Sequence, residues 1–189
     1  MMTSEGLADL EADYRKLVSS ICGIPSPPQV CFGQGGVTPR VVFVLGLPSG
    51  LHPLDLEGQE KFTQLRSAMQ LELDDVYITT VIKTLSLASR PPHPADVRRD
   101  RPWLERQLSR LAPEAIVAFG PKVGAMLTSG EIQDCGAGQI SSVELVGVQG
   151  PIPVHVTHEF TVLTRQGRDE AKAREMWSHL RVVMEAVSP

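Results

Sequence analysis

The segment Arg40–Leu45 (RVVFVL) is a run of β-branched and aromatic residues without polar alternation. A strand of that composition has no face to give to water, so it belongs in a parallel sheet covered by helices on both sides. Similar runs recur at Val76–Ile82 (VYITTVI), Ala115–Phe119 (AIVAF) and Ile152–Val156 (IPVHV). Helical patterns over 56–71, 94–111 and 121–127 separate them. A last helix over 168–187 turns Ala173, Met176, Trp177, Leu180 and Met184 inward. Strands alternating with helices imply right-handed crossovers, and hence an α/β fold: a three-layer α/β/α sandwich with a four-stranded parallel sheet. At 189 residues, 42% hydrophobic and 21% charged, the chain can bury one such core.

A helix over 4–20, capped by Ser4 with Leu7, Leu10, Tyr14, Leu17 and Val18 on one face, precedes the core. Residues 22–39 are rich in proline and glycine and read as loop, with Gly33–Gly36 a flexible turn. The expected organisation is therefore an N-terminal helix and loop (1–39) packed on a core domain (40–189). Pro102 falls inside the third helical pattern, which predicts a kink or a restart capped by Asp100 or Arg101. Residues 141–148 alternate enough for an antiparallel edge or hairpin arm.

Eighteen basic against 22 acidic side chains give a net charge of −4, which excludes a histone-like binder. No apolar run approaches the ~20 residues of a spanning helix, and the acidic opening residues do not resemble a signal peptide. No membrane association and a cytoplasmic location are expected. Three cysteines (Cys22, Cys31, Cys135) without a CxxC pair indicate neither a disulfide framework nor a zinc site.

In a doubly wound sheet, ligands bind beyond the carboxyl ends of the strands, where strand order reverses. The loops to watch are Gly46–His52 (GLPSGLH), Lys83–Arg90, Gly120–Lys122 and Thr157–Phe160. The first lacks the lysine and hydroxyl of a P-loop, and no GxGxxG follows a strand, so no nucleotide cofactor is expected. His158 follows the last core strand, where it serves either as a general acid/base or as an ordinary loop histidine. His52 is the second candidate. Arginines crowd 90–110 and basic residues crowd 165–181, whereas 55–75 is acidic by six to two. This segregation suits either a phosphate-contacting rim or solvated helix faces.

Three stretches together resemble the uracil-DNA glycosylase superfamily, closest to its family 4. Leu71–Lys83 (LELDDVYITTVIK) is similar to the family's GLxxxDVYITNVVKC. Pro94–Leu108 (PADVRRDRPWLERQL) contains its RPWLERQL, and Leu111–Gly120 (LAPEAIVAFG) is similar to PxxIVALG. Thr157–His158 falls at the family's HP[AS] loop. The resemblance runs from about Cys31 to Leu180. It implies a cleft at the carboxyl ends of a four-stranded parallel sheet, and DNA as partner.

The departures carry the functional information. In the first motif, GEAPG, Gly46 takes the place of the water-activating acid, beside Leu47, Pro48 and Ser49. No counterpart of the base-stacking aromatic follows. The uracil-reading asparagine becomes Thr80, and the proline after His158 becomes Glu159. Gly46–His52 also loosely resembles GLAPAAH of family 5, which works without that acid and would pair His52 with His158. Family 4 holds a four-iron four-sulfur cluster on cysteines, but two of those positions are Thr84 and Asp100 here. Thiolates being the required ligands, no cluster and no metal are expected.

The resemblance therefore implies a superfamily member with a degenerate site: Gly46, Leu47, Pro48, Ser49 and Thr80 facing the base, with His158 and His52 as remaining catalytic candidates. Lys83, Arg90, Arg98, Arg99, Lys122 and Arg165 are the expected DNA contacts. Such a protein binds DNA, or a repair or replication protein, without excising uracil. The alternatives are an active glycosylase for another lesion, using His158 with His52 or Asp55 positioning water, and an interaction scaffold without DNA affinity.

Overall fold

The computed structural model describes residues 5–22, 29–84, 93–128 and 136–187. Five helices and six strands follow in chain order: α1 (Glu5–Cys22), β1 (Gln34–Gly35), β2 (Val41–Leu45), α2 (Leu56–Ala68), β3 (Val76–Thr80), α3 (Pro94–Leu111), β4 (Ala115–Phe119), α4 (Pro121–Thr128), β5 (Ile140–Val143), β6 (Ile152–Thr157) and α5 (Glu170–Ala186). Strand order is β1-β3-β2-β4-β6-β5. The four apolar runs form the parallel centre, with Val41 beside both Val76 and Ala115, and Ile116 beside Val154.

The sheet exceeds expectation by two antiparallel edges. β5 pairs with β6, which realises part of the 141–148 arm. At the other edge Gln34–Gly35 pairs with Ile78 and Tyr77, so these residues form a strand and not a free turn. Gly35 sits at φ +142°, and a Cβ there would come within 2.2 Å of the Val76 carbonyl oxygen, so only glycine lets the two backbones approach.

Side chains alternate across the sheet as a strand period of two requires. Val42, Val44, Ile116 and Ala118 face α3 and α4, where Val97, Leu104, Leu108, Val123 and Met126 cover them. Val41, Phe43, Val117 and Phe119 face α2 and α5, under Leu65, Met176, Leu180 and Val183. Pro102 neither breaks nor restarts α3, which is one helix of 18 residues. The proline removes only the N–H that would bond the Arg98 carbonyl. α1 packs outside this layer through Leu10, Tyr14 and Val18, with the Tyr14 ring edge-on to Trp103 at 5.3 Å. Among the described residues no helix is long and apolar enough to cross a membrane.

Candidate functional site

The chain leaves β2 toward β3 on one side and reaches β4 on the other, so strand order reverses between β2 and β4. The two loops that follow these strands cannot cover each other there, and a cleft opens. It holds about 460 Å³, a volume within the range of small-ligand clefts. Leu45, Gly46 and Leu47 line it from the β2 end, Phe119 and Lys122 from the β4 end, and Glu159 and Phe160 from beyond β6.

Its interior is apolar and aromatic. Phe119, the last residue of β4, lies in the stack of Phe43 at 5.8 Å and meets Phe160 edge-on at 5.0 Å. The polar groups stand at the mouth: Asp55, Lys122 and Glu159 are all exposed there. Asp55 is fixed because it caps α2, its Oδ1 accepting from the Gly58 N–H at 2.7 Å. Glu159 lies over Gly120, whose φ of +108° and close neighbour leave no room for a side chain.

The expected site residues divide. Gly46, Leu47 and Ser49 line the cleft, and Lys122 joins them. Pro48 is buried and does not line it. Thr80 is fully buried at the end of β3, and its hydroxyl donates to the Ile82 carbonyl at 2.7 Å, so no polar group of Thr80 faces the cleft. The two histidines are also turned elsewhere. His158 places Nε2 2.7 Å from Glu175 Oε2 on α5, its ring 5.8 Å from that of His179. His52 engages Leu54 through Nδ1, and burial lowers its pKa.

The expected DNA contacts divide likewise. Arg98, Lys122 and Arg165 are exposed, whereas Arg90 lies outside the described residues. Lys83 is fully buried and donates to Thr79 Oγ1 at 2.6 Å and Gln107 Oε1 at 2.7 Å, which corrects its assignment to a DNA surface. Arg99 is committed to Asp100, so its guanidinium is not free for a phosphate. Sequence reasoning placed both on the rim because a basic residue after a strand or in an arginine run reads as exposed. Gln107, which holds Lys83, comes from a distant segment, and Asp100, next to Arg99 in sequence, is itself buried by contacts from Tyr14 and Lys83.

Two positions of the family's four-thiolate pattern carry no thiol here. Thr84 and Asp100 occupy two of the positions where the family pattern has cysteine, and both are buried. Cys31 is buried, and burial pushes its thiol up to about 11. Among the described residues no group of three or more His, Cys, Asp or Glu is placed to hold a metal ion.

Phe119 and Met126 were missed as lining residues, although Phe119 as the last residue of a core strand carries a general signal for such a position, and Phe160 stood only as the end of the Thr157–Phe160 loop. A doubly wound sheet with an apolar cleft at its reversal point defines the class: an α/β protein with a cleft of small-ligand size beyond its strand ends. Residues 32–181 match the family model of the Uracil DNA glycosylase superfamily, and the chain belongs to that superfamily. It is 32% identical over 95 residues to the Type-4 uracil-DNA glycosylase of Archaeoglobus fulgidus. That match covers 47% of each chain, so it spans about half the length of this relative.

Proposed function

We propose that this protein binds DNA at the cleft between β2 and β4 without hydrolysing the glycosidic bond of uracil. The observation that carries the reading is the state of the cleft's two chemical positions. Gly46 offers no carboxylate to activate water, and the Thr80 hydroxyl is spent on the Ile82 carbonyl. A positioned general base contributes ~10²–10⁴ in rate, and the edge-reading contact is what holds a flipped base. Losing both removes the basis for turnover while the cleft keeps its volume and its aromatic wall.

Superfamily membership and the exposed Arg98, Lys122 and Arg165 support DNA as the partner. The acidic Asp55 and Glu159 at the mouth repel phosphate, which keeps binding weak, and the cationic contacts make it fall with salt. His158 contributes little here, because its imidazole is held against Glu175 on α5 and does not line the cleft.

The test uses protein in excess over single- and double-stranded oligonucleotides carrying uracil, hypoxanthine or xanthine. The expected result is DNA binding that salt weakens, with no base released from any of them. Base release from any of these substrates overturns the reading. So does an absence of DNA affinity at low salt, which leaves a protein-interaction scaffold.

A further inference from the structure

Asp100 is fully buried in the middle of α3, where an unpaired carboxylate is not tolerated. Each of its oxygens has two donors. Oδ1 accepts from the Tyr14 hydroxyl at 2.8 Å and from Arg99 Nε at 2.5 Å. Oδ2 accepts from Arg99 Nη2 at 2.9 Å and from the Lys83 N–H at 3.0 Å. An ionised carboxylate has about four acceptor sites, and all of them are used. Arg99 Nη2 also reaches Thr84 Oγ1 at 3.2 Å. Thr84 bridges Val30, and Cys31 N–H donates to the Lys83 carbonyl at 2.8 Å.

These bonds join three segments far apart in sequence: α1 through Tyr14, the segment after β3 through Lys83 and Thr84, and α3 through Asp100. We propose that the Arg99–Asp100 pair is a clamp that docks α1 and the post-β3 segment on α3, at positions where the family pattern leads one to expect cluster cysteines. A cluster there would tie these segments by covalent ligation, and the clamp does so by ionic hydrogen bonds. Its components are specific. The bidentate guanidinium needs arginine, and the phenol needs a buried acceptor. In keeping with this geometry, the Arg99 guanidinium is held more firmly protonated, chiefly by its hydrogen bond to Asp100. The Tyr14 hydroxyl is pushed up, first by burial and then by the neighbouring carboxylate.

The test combines three variants of the full chain with iron loading. Asp100→Asn puts an amide donor among four donors and lowers the thermal midpoint by roughly 6–20 °C, as expected when one partner of a buried pair is removed. Tyr14→Phe deletes one hydroxyl and lowers it by roughly 2–6 °C. The double variant loses less than the sum, because the hydroxyl has no carboxylate left to bond. Hydrogen exchange is the second reading. In Tyr14→Phe, which keeps the ion pair, α1 amides exchange faster while those of β2 and β4 do not, so the test stands even if Asp100→Asn fails to fold. The wild type, incubated anaerobically with ferrous iron and sulfide, gains no cluster absorption and no stoichiometric iron. Additive losses, unchanged α1 exchange in Tyr14→Phe, or uptake of a cluster each overturn the proposal.

Discussion

The Thr80 hydroxyl donates to the Ile82 carbonyl 2.7 Å away, so the residue at the end of β3 bonds back onto its own chain. Gly46 faces the cleft from the end of the neighbouring strand β2. Its own surroundings are open: a Cβ built there meets only Val123 Cγ2, at an ordinary 3.6 Å. Two of the site's departures can therefore be reversed by substitution. Gly46→Glu supplies a carboxylate, and Thr80→Asn supplies an amide that can both donate and accept. Neither alone restores excision, because the acid without the amide has no held base to act on. The double variant is expected to release uracil in single-turnover assays at least ~10²-fold faster than either single. Equal rates in all three would mean that the cleft does not admit the base.

Lys122 is the cation at the cleft mouth, and Arg98 and Arg165 are the other exposed members of the expected rim. Three phosphate contacts give a slope of about −3 when log K is plotted against log salt for duplex DNA. Lys122→Ala should weaken binding and reduce that slope by about 1, with no change between sequences. Lys83→Met should leave the slope alone, since its amine lies inside the core. A slope change in the lysine-83 variant would place that side chain on the DNA after all.

Asp55 has two roles that can be separated. Its Oδ1 caps α2 through the Gly58 N–H, and its charge faces the cleft. Asp55→Ala removes both, at a cost of about 1 kcal/mol and a fall of roughly 2–4 °C in thermal midpoint. Asp55→Asn keeps the cap and removes only the charge. It should match the wild type in stability yet bind DNA more tightly at low salt, as calorimetry and a salt titration would read. Equal DNA affinity would show that the carboxylate does not meet phosphate.

The parallel centre of the fold was legible because buried strands such as Val41–Leu45 and Ala115–Phe119 write their two-sided burial directly into composition. The edges were not. β1 is two residues long and has no apolar side chain to signal its pairing, which rests on backbone contact at Gly35. α3 passes through Pro102 because a helix of this length, with seven buried side chains on its inner face, is held by packing as well as by its own hydrogen bonds. At the site, position along the chain put Gly46, Leu47, Ser49 and Lys122 near the strand ends, and all four line the cleft. It could not tell where a side chain turns. Thr80, His52 and His158 each stand near the right edge, and each is bonded to a partner away from the cleft: the Ile82 carbonyl, Leu54 and Glu175. Lys83 failed for the same reason, since its partner Gln107 lies on α3 and becomes a neighbour only through packing, whereas Arg99 is held by its sequence neighbour Asp100, whose burial the sequence does not show.

Lys83 also gives the protein a pH dependence. Burial pushes its amine down to about 7 from the usual 10.5, partly offset by Cys31, Asp100 and Glu11. The neutral amine has two N–H donors, and two acceptors, Thr79 Oγ1 and Gln107 Oε1, receive them. Between about 7 and 10.5 the unfolded chain holds a proton that the folded one has released, so stability rises with pH. Below that window the lysine is protonated in both states and the penalty of burying the charge is felt in full. From about pH 9 upward Cys31 works the other way. Its thiol ionises near 9 when unfolded but only near 11 when folded, so the unfolded chain sheds its proton first. The net gain is therefore confined to pH 7–9, where it amounts to about 2 kcal/mol, or roughly 4–8 °C in thermal midpoint. His52, His155 and His179, all lowered chiefly by burial, act below this window, where falling pH protonates the unfolded chain first and costs stability. Lys83→Met should flatten the midpoint between pH 7 and 9 while leaving the acid side unchanged. A wild-type midpoint that is flat or falls across that interval would mean the lysine stays charged in the core.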